Sequence, residues 1–262
     1  MSACEQAVSE AVAAPVVEAH TYVQQQEVVH VNETGWREGR QRGWLWVMVS
    51  ALVTVFLVHA RRNTIEQRQL CWAHLVREFT AFTERGGAAA RLGRALLTDA
   101  DTTFARWHRV RDGTLSRPRF WREMRPLRRR VERWLRRGAQ GTDGQTAVTC
   151  RDLVQLATAL WTFIDLPAVE PTNNASERAL RPAVLWRKNS FGTHSAAGSR
   201  FAERMLTVAT TLKQQGRDVV NYVAQACMAS LHGQPPPSLL PNAVTPIRYS
   251  LKRLNDYEAR TQ

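Results

Sequence analysis

Residues 44–58 read WLWVMVSALVTVFLV, and the fold class turns on whether this run is one helix or two strands. A membrane-spanning helix needs about twenty apolar residues, and this run has fifteen. Valine is abundant in it, and β-branched side chains pack well on a pleated surface. Ser50 and Ala51, near the middle, suit a tight turn. The run therefore predicts two buried strands. A spanning helix is the weaker alternative, excluded if the chain is soluble without detergent.

Working outward, residues 28–43 add one strand, so 28–58 predicts three. Residues 5–26, rich in alanine and valine and ending in QQQ, predict an opening helix. From 70 to 166 the pattern is helical, broken at Gly86-Gly87, at Asp112-Gly113 and over 138–144 (GAQGTDG). A further helical segment spans 199–231, with Gly216 as a break. Residues 233–241 (GQPPPSLLP) read as a proline-rich stop, and the remainder to 262 as a mobile tail. The class is a helix-rich mixed α/β fold, without internal repeats.

Charge points to the partner. With 36 Lys and Arg against 23 Asp and Glu, the formal net charge is +13, so polyanions are attracted in a salt-dependent, largely sequence-independent manner. Much of this charge sits in residues 117–137, RPRFWREMRPLRRRVERWLRR, where Arg128, Arg129 and Arg130 are candidate DNA contacts and Trp121 and Trp134 suit base stacking. The same stretch reads as an amphipathic helix with Val131, Trp134 and Leu135 inward, and both readings hold together. Four widely spaced cysteines form no C-x-x-C pair, which fits a reduced cytoplasm. Cys71 and His74 have a C-x-x-H spacing but no second pair follows, so helix positions packing toward the core account for them more simply. Residues 1–17 lack the pattern of a signal peptide.

The chemistry concentrates in residues 171–193, PTNNASERALRPAVLWRKNSFGT, where one carboxylate, Glu177, lies in a field of asparagine, arginine and lysine. Asn173 and Asn174 are helix N-cap types. Arg178 and Arg181 flank Glu177, Pro182 kinks or ends the helix, and Arg187 and Lys188 follow. Taken alone, the pattern describes a solvated helix face with a Glu177–Arg181 pair.

This stretch resembles the glutamate motif of the insertion sequence 66 family of transposases, NN-x-x-ER-x-LRP followed by a basic RKN segment. Residues 29–39 (VHVNETGWREG), 69–79 (QLCWAHLVREF), 107–116 (WHRVRDGTLS) and 197–215 (AGSRFAERMLTVATTLKQQ) resemble the same family in the same order, over roughly residues 4–241. The resemblance implies a DDE-type transposase on an RNase H-like core, a mixed sheet interrupted by a helical insertion. It implies three carboxylates holding two Mg2+ or Mn2+ ions for phosphodiester chemistry, DNA as partner, oligomers with itself or an intact transposase, no membrane, and a bacterial cytoplasmic, nucleoid-associated location. The organisation expected is an amino-terminal helix (1–27), a first core part (28–69), the insertion (70–166), a second core part with the glutamate motif (167–232) and the end and tail (233–262).

Departures from the pattern decide the expected activity. Asn32 stands where the family has its first aspartate, and a neutral amide attracts dications far less than a carboxylate. Glu33 cannot take over, because neighbouring strand residues face opposite sides. Residues 59–68 (HARRNTIEQR) replace the segment carrying the second aspartate; Glu66, their only acid, reads as a surface residue. Glu177 is then the surviving metal ligand, and His74, within the CWAH motif, a group behind it. The family's amino-terminal DNA-recognition parts are also missing. The expectation is a truncated, internally deleted copy with a reduced sheet and defective catalysis; the alternative is a non-catalytic basic DNA-binding remnant that interferes with intact transposases.

Overall fold

The computed structural model describes residues 2–59, 69–166 and 168–241. A three-stranded antiparallel sheet, in the order β1-β2-β3, is built from β1 (His30–Glu38), β2 (Gln41–Val49) and β3 (Thr54–His59). The apolar run 44–58 thus forms strands: it turns at Ser50, whose N–H donates to the Val53 carbonyl at 2.9 Å. Among the described residues no helix is long and apolar enough to cross a membrane. The single parallel pairing described is a bridge between Glu38 and Thr193.

The opening segment holds two helices, α1 (Ala3–Ala11) and α2 (Ala13–Gln24), rather than one. Pro15 explains the correction. It has no N–H for the Ala11 carbonyl and its ring would clash with that group, whereas in the first turn of a new helix it is tolerated. Ser2 and Glu5 form a reciprocal capping box on α1.

Both faces of the sheet are covered. Trp36, Leu45, Val47 and Phe56 pack on Leu180 and Ala183 of α8 (Asn174–Ser190) and on Ala202 and Leu206 of α9 (Ala196–Gln214). Val53 and Val55 lie in a second cluster with Val12, Val16 and Ala19 and with Tyr222 and Ala226 of α10 (Val219–Leu231). α9 also seals the outer edge of β3, an exposed row of backbone groups that would otherwise invite aggregation. Thr207 Oγ1 accepts the Phe56 N–H at 3.0 Å, Thr211 Oγ1 accepts the Thr54 N–H at 3.1 Å, and Glu203 Oε1 accepts the Val58 N–H. These side chains recur every fourth residue, one helix face against every second residue of the strand.

A third core belongs to the helices between β3 and α8: α3 (Trp72–Glu84), α4 (Gly87–Arg111), α5 (Arg117–Ala139), α6 (Gly144–Gln155), a short 3-10 turn (Ala157–Leu160) and α7 (Thr162–Asp165). Helices end or begin at Gly86, Asp112 and Asp143, near the expected breaks. The core is aromatic: Trp72 and Trp161 lie 5.0 Å apart, and Trp107 meets Phe163 edge-on at 5.7 Å. α5 buries Phe120, Met124, Leu127, Val131 and Leu135, a helical stripe, and leaves most of its arginines outside. Beyond α10, residues 233–241 pack back: Leu239 is fully buried and Tyr222 donates its hydroxyl to the Pro237 carbonyl at 2.6 Å.

Candidate functional site

Two helix beginnings and the edge of β1 meet at residues 171–173. The Trp72 N–H donates to the Pro171 carbonyl at 2.9 Å, the Asn173 N–H points at Cys71 Sγ at 3.4 Å, and Asn173 Nδ2 donates to the Val31 carbonyl at 2.8 Å. Asn173 does occupy the N-cap position of α8, but its side chain makes no capping bond. Its donor goes to the strand edge instead, fastening helix to sheet.

Glu177, in the first turn of α8, is turned toward α3. Its Oε1 lies 3.6 Å from His74 Nδ1 and 3.9 Å from Cys71 Sγ, with the His74 and Glu177 side chains 54% and 31% exposed. The ligand-type atoms of Cys71, His74 and Glu177 all lie within 4.8 Å of one another. The in-helix pair expected between Glu177 and Arg181 thus gives way to a contact between helices, and Arg181 is exposed. Cys71, expected among core-packing positions, is half-buried as the N-cap of α3, and His74 is exposed. Their spacing was visible in sequence, and only the resemblance set His74 behind Glu177, more than a hundred residues away; that Cys71 joins them was not visible.

Asn32 sits on β1 opposite Val47, on the face that packs against α8. Its Oδ1 accepts the N–H of Glu33 at 2.8 Å, a local bond at the strand's outer edge. The oxygen expected at a metal is therefore engaged with backbone. None of the three strands carries an aspartate; residues 60–68, with Glu66 and the expected deletion, lie outside the described residues. Magnesium and manganese favour sets of oxygen ligands. The described cluster offers one carboxylate beside a thiol and an imidazole, so these residues do not fit a two-magnesium centre.

Pro182 neither ends the helix nor interrupts its packing: α8 runs on to Ser190 because Leu180 and Ala183 are buried on either side of the proline. Past it, Arg187 donates to Thr34 Oγ1 at 2.6 Å and to the Gly35 carbonyl at 2.9 Å, clamping β1. The chain then leaves the helix through Phe191 (φ 57°), which is 78% exposed, and Gly192 (φ 103°). A Cβ on Gly192 would stand 2.3 Å from the Arg37 carbonyl oxygen. Only glycine lets the backbone approach closely enough for the Thr193 N–H to donate to that oxygen at 2.8 Å.

The expected DNA-contacting residues divide by what holds them. Arg178, Arg181, Lys188 and Arg129 are exposed. Arg128 pairs with Glu132 at 3.0 Å, and Arg130 grips the buried Asp99, Nε to Oδ1 at 2.8 Å. Trp121 carries Arg125 over its ring at 4.9 Å and, with Arg125, Arg128 and Arg129, lines an open groove along α5. Trp134 packs against the helical core. All four cysteines are free; burial pushes the Cys150 thiol up to about 11, which suits a packing role.

Comparison with known proteins agrees with the motifs. No solved structure matches the chain. The chain is similar to the uncharacterized protein y4qI of Sinorhizobium fredii (strain NBRC 101917 / NGR234), 27% identical over 196 residues, which is 71% of this chain and 35% of that protein. It thus spans about a third of that relative's length. The model of the family described as Transposase IS66 family matches residues 66–201, just over half of the chain, and includes α3, the helical region and α8 with Glu177. The chain belongs to the IS66 family of transposases.

Proposed function

We propose that this chain is a DNA-binding protein of the transposase family that does not carry out two-metal strand cleavage. One observation carries the reading: Asn32, which the resemblance of residues 29–39 puts at the family's first aspartate, is a neutral residue whose amide oxygen is bonded to the Glu33 N–H. Among the described residues Glu177 has a thiol and an imidazole, not further carboxylates, as its near neighbours. Without a charged set of oxygens, neither activation of the attacking hydroxyl nor stabilisation of the leaving oxygen has its metal.

The antiparallel meander, with one parallel bridge on the free side of β1, supports reading the sheet as the first strands of an RNase H-like core. On this reading residues 28–69 and 167–232 are the two parts of that core, and 70–166, with their own aromatic interior, are the insertion. DNA binding rests on the net charge of +13 and on the exposed arginines of α5 and α8. Such a protein competes with an intact transposase for DNA.

Fluorescence anisotropy of a labelled duplex at rising salt tests the binding. The affinity is expected to fall linearly on a log–log plot and to depend little on sequence. Absence of binding at low salt contradicts the reading. The competing reading, a rebuilt cleavage site, predicts metal-dependent nicking that requires Glu177.

A further inference from the structure

We propose that Cys71, His74 and Glu177 form a binding site for a borderline-soft divalent transition metal, with zinc the ion their chemistry selects. The inference goes beyond DNA binding and does not rest on it.

The donor set comes first. A thiolate, an imidazole and a carboxylate are zinc ligands, whereas a magnesium site has no use for sulfur. Spacing comes next. Tetrahedral zinc, with bonds of about 2.0–2.3 Å, places its ligand atoms about 3.4–3.6 Å apart. The observed separations from Glu177 Oε1 are 3.6 Å to His74 Nδ1 and 3.9 Å to Cys71 Sγ. Each of these two differs from the tetrahedral spacing by no more than a few tenths of an ångström, and Cys71 and His74 bring their own ligand atoms within 4.8 Å of each other. Unbridged hydrogen-bonded pairs are usually shorter than either distance.

The surroundings hold the ligands in place. Cys71 and His74 are three apart, on one face of the first turn of α3. That turn is fixed by the fully buried Trp72, whose N–H donates to the Pro171 carbonyl and whose indole donates to the Leu160 carbonyl at 2.8 Å. The Asn173 N–H directed at Cys71 Sγ is the outer hydrogen bond expected around a ligating sulfur, and it is positioned by the bond from Asn173 Nδ2 to β1. Partial exposure of His74 and Glu177 leaves a fourth position open to water, as in zinc sites with three protein ligands.

Cobalt tests this without reference to activity. The reduced, metal-free full chain is titrated with Co2+ while the visible d–d bands and the near-ultraviolet sulfur-to-cobalt charge-transfer band are followed. The expected result is one tetrahedral, thiolate-ligated Co2+ per chain, displaced by equimolar Zn2+ and untouched by excess Mg2+. Cys71→Ser abolishes the charge-transfer band, and Cys227→Ser keeps it. His74→Ala and Glu177→Gln, changes at exposed or half-exposed positions that leave the circular dichroism unchanged, weaken Zn2+ binding by more than about a hundredfold, beyond what loss of an outer partner alone costs. The proposal is overturned if no tetrahedral spectrum forms, if the sulfur band survives in Cys71→Ser, or if His74→Ala and Glu177→Gln bind Zn2+ as the parent does.

Discussion

Glu177 reaches across from α8 to His74 on α3, Oε1 to Nδ1 at 3.6 Å, so the carboxylate of the NN-x-x-ER stretch has an imidazole for a neighbour. Both side chains are partly exposed, and such pairs contribute about 0–1 kcal/mol. Glu177→Ala and His74→Ala should therefore each change stability in metal-free buffer by less than about 1 kcal/mol, measured by urea denaturation. A functional effect of either variant then reports on the site rather than on unfolding.

Neighbouring arginines on α5 should behave differently. Arg129 is exposed, and Arg129→Ala should leave stability within about 0.5 kcal/mol while lowering the salt slope of DNA binding by about 0.9 for one lost phosphate contact. Arg130 holds Asp99, whose side chain is 3% exposed and whose Oδ2 has no hydrogen-bond partner among the described residues. Arg130→Ala should cost about 2 kcal/mol, because a buried carboxylate is left uncompensated. Thermal unfolding and anisotropy on both variants separate the two roles.

Burial raises the Glu203 carboxyl above its ordinary range, against the lowering effects of the Val58 N–H and of Arg204 and Arg200, with Glu38 adding to the rise. A carboxyl raised in the folded state costs nothing while protonated in both states. The cost appears as pH rises through the unfolded value toward the folded one. Glu203→Gln keeps an oxygen for the Val58 N–H and removes the charge. It should therefore be more stable than the parent at pH 7, with the advantage vanishing as pH falls below the ordinary glutamate range, as denaturation at several pH values would show.

Gly192→Ala should be severe. Its Cβ would meet the Arg37 carbonyl at 2.3 Å, at a φ of 103° that L-residues avoid. Separating residues 192–193 from β1 also loses the bond from Thr193 to Arg37. A loss of about 3 kcal/mol is expected, against about 1 kcal/mol for Gly113→Ala, where nothing lies within 4 Å and only the positive φ of the turn is strained.

Local patterns were readable where local physics decides. Valine-rich 44–58, short for a spanning helix and with Ser50 near its middle, was readable as paired strands, and the α5 stripe Val131, Trp134, Leu135 pointed inward as its period requires. What sequence obscured was settled by partners distant in the chain. Pro182 is carried within a helix because its neighbours are anchored on the sheet. Asn173 forgoes its cap for the Val31 carbonyl, Arg187 is drawn onto β1, Arg130 holds the buried Asp99 while staying exposed, and Cys71 with His74 acquires Glu177 as a third donor. Pro15, by contrast, held a readable signal for the break between α1 and α2, since its missing N–H and its ring disfavour continuing the helix through it.

The most direct measurement of the central claim is nicking of supercoiled plasmid at low salt with Mg2+ or Mn2+, comparing the chain with Glu177→Ala. With the neutral Asn32 on β1 and Glu177 beside Cys71 and His74, neither protein should nick, while both bind the plasmid. Metal-dependent nicking by the parent that disappears in Glu177→Ala would contradict the account and establish a working cleavage site around that glutamate.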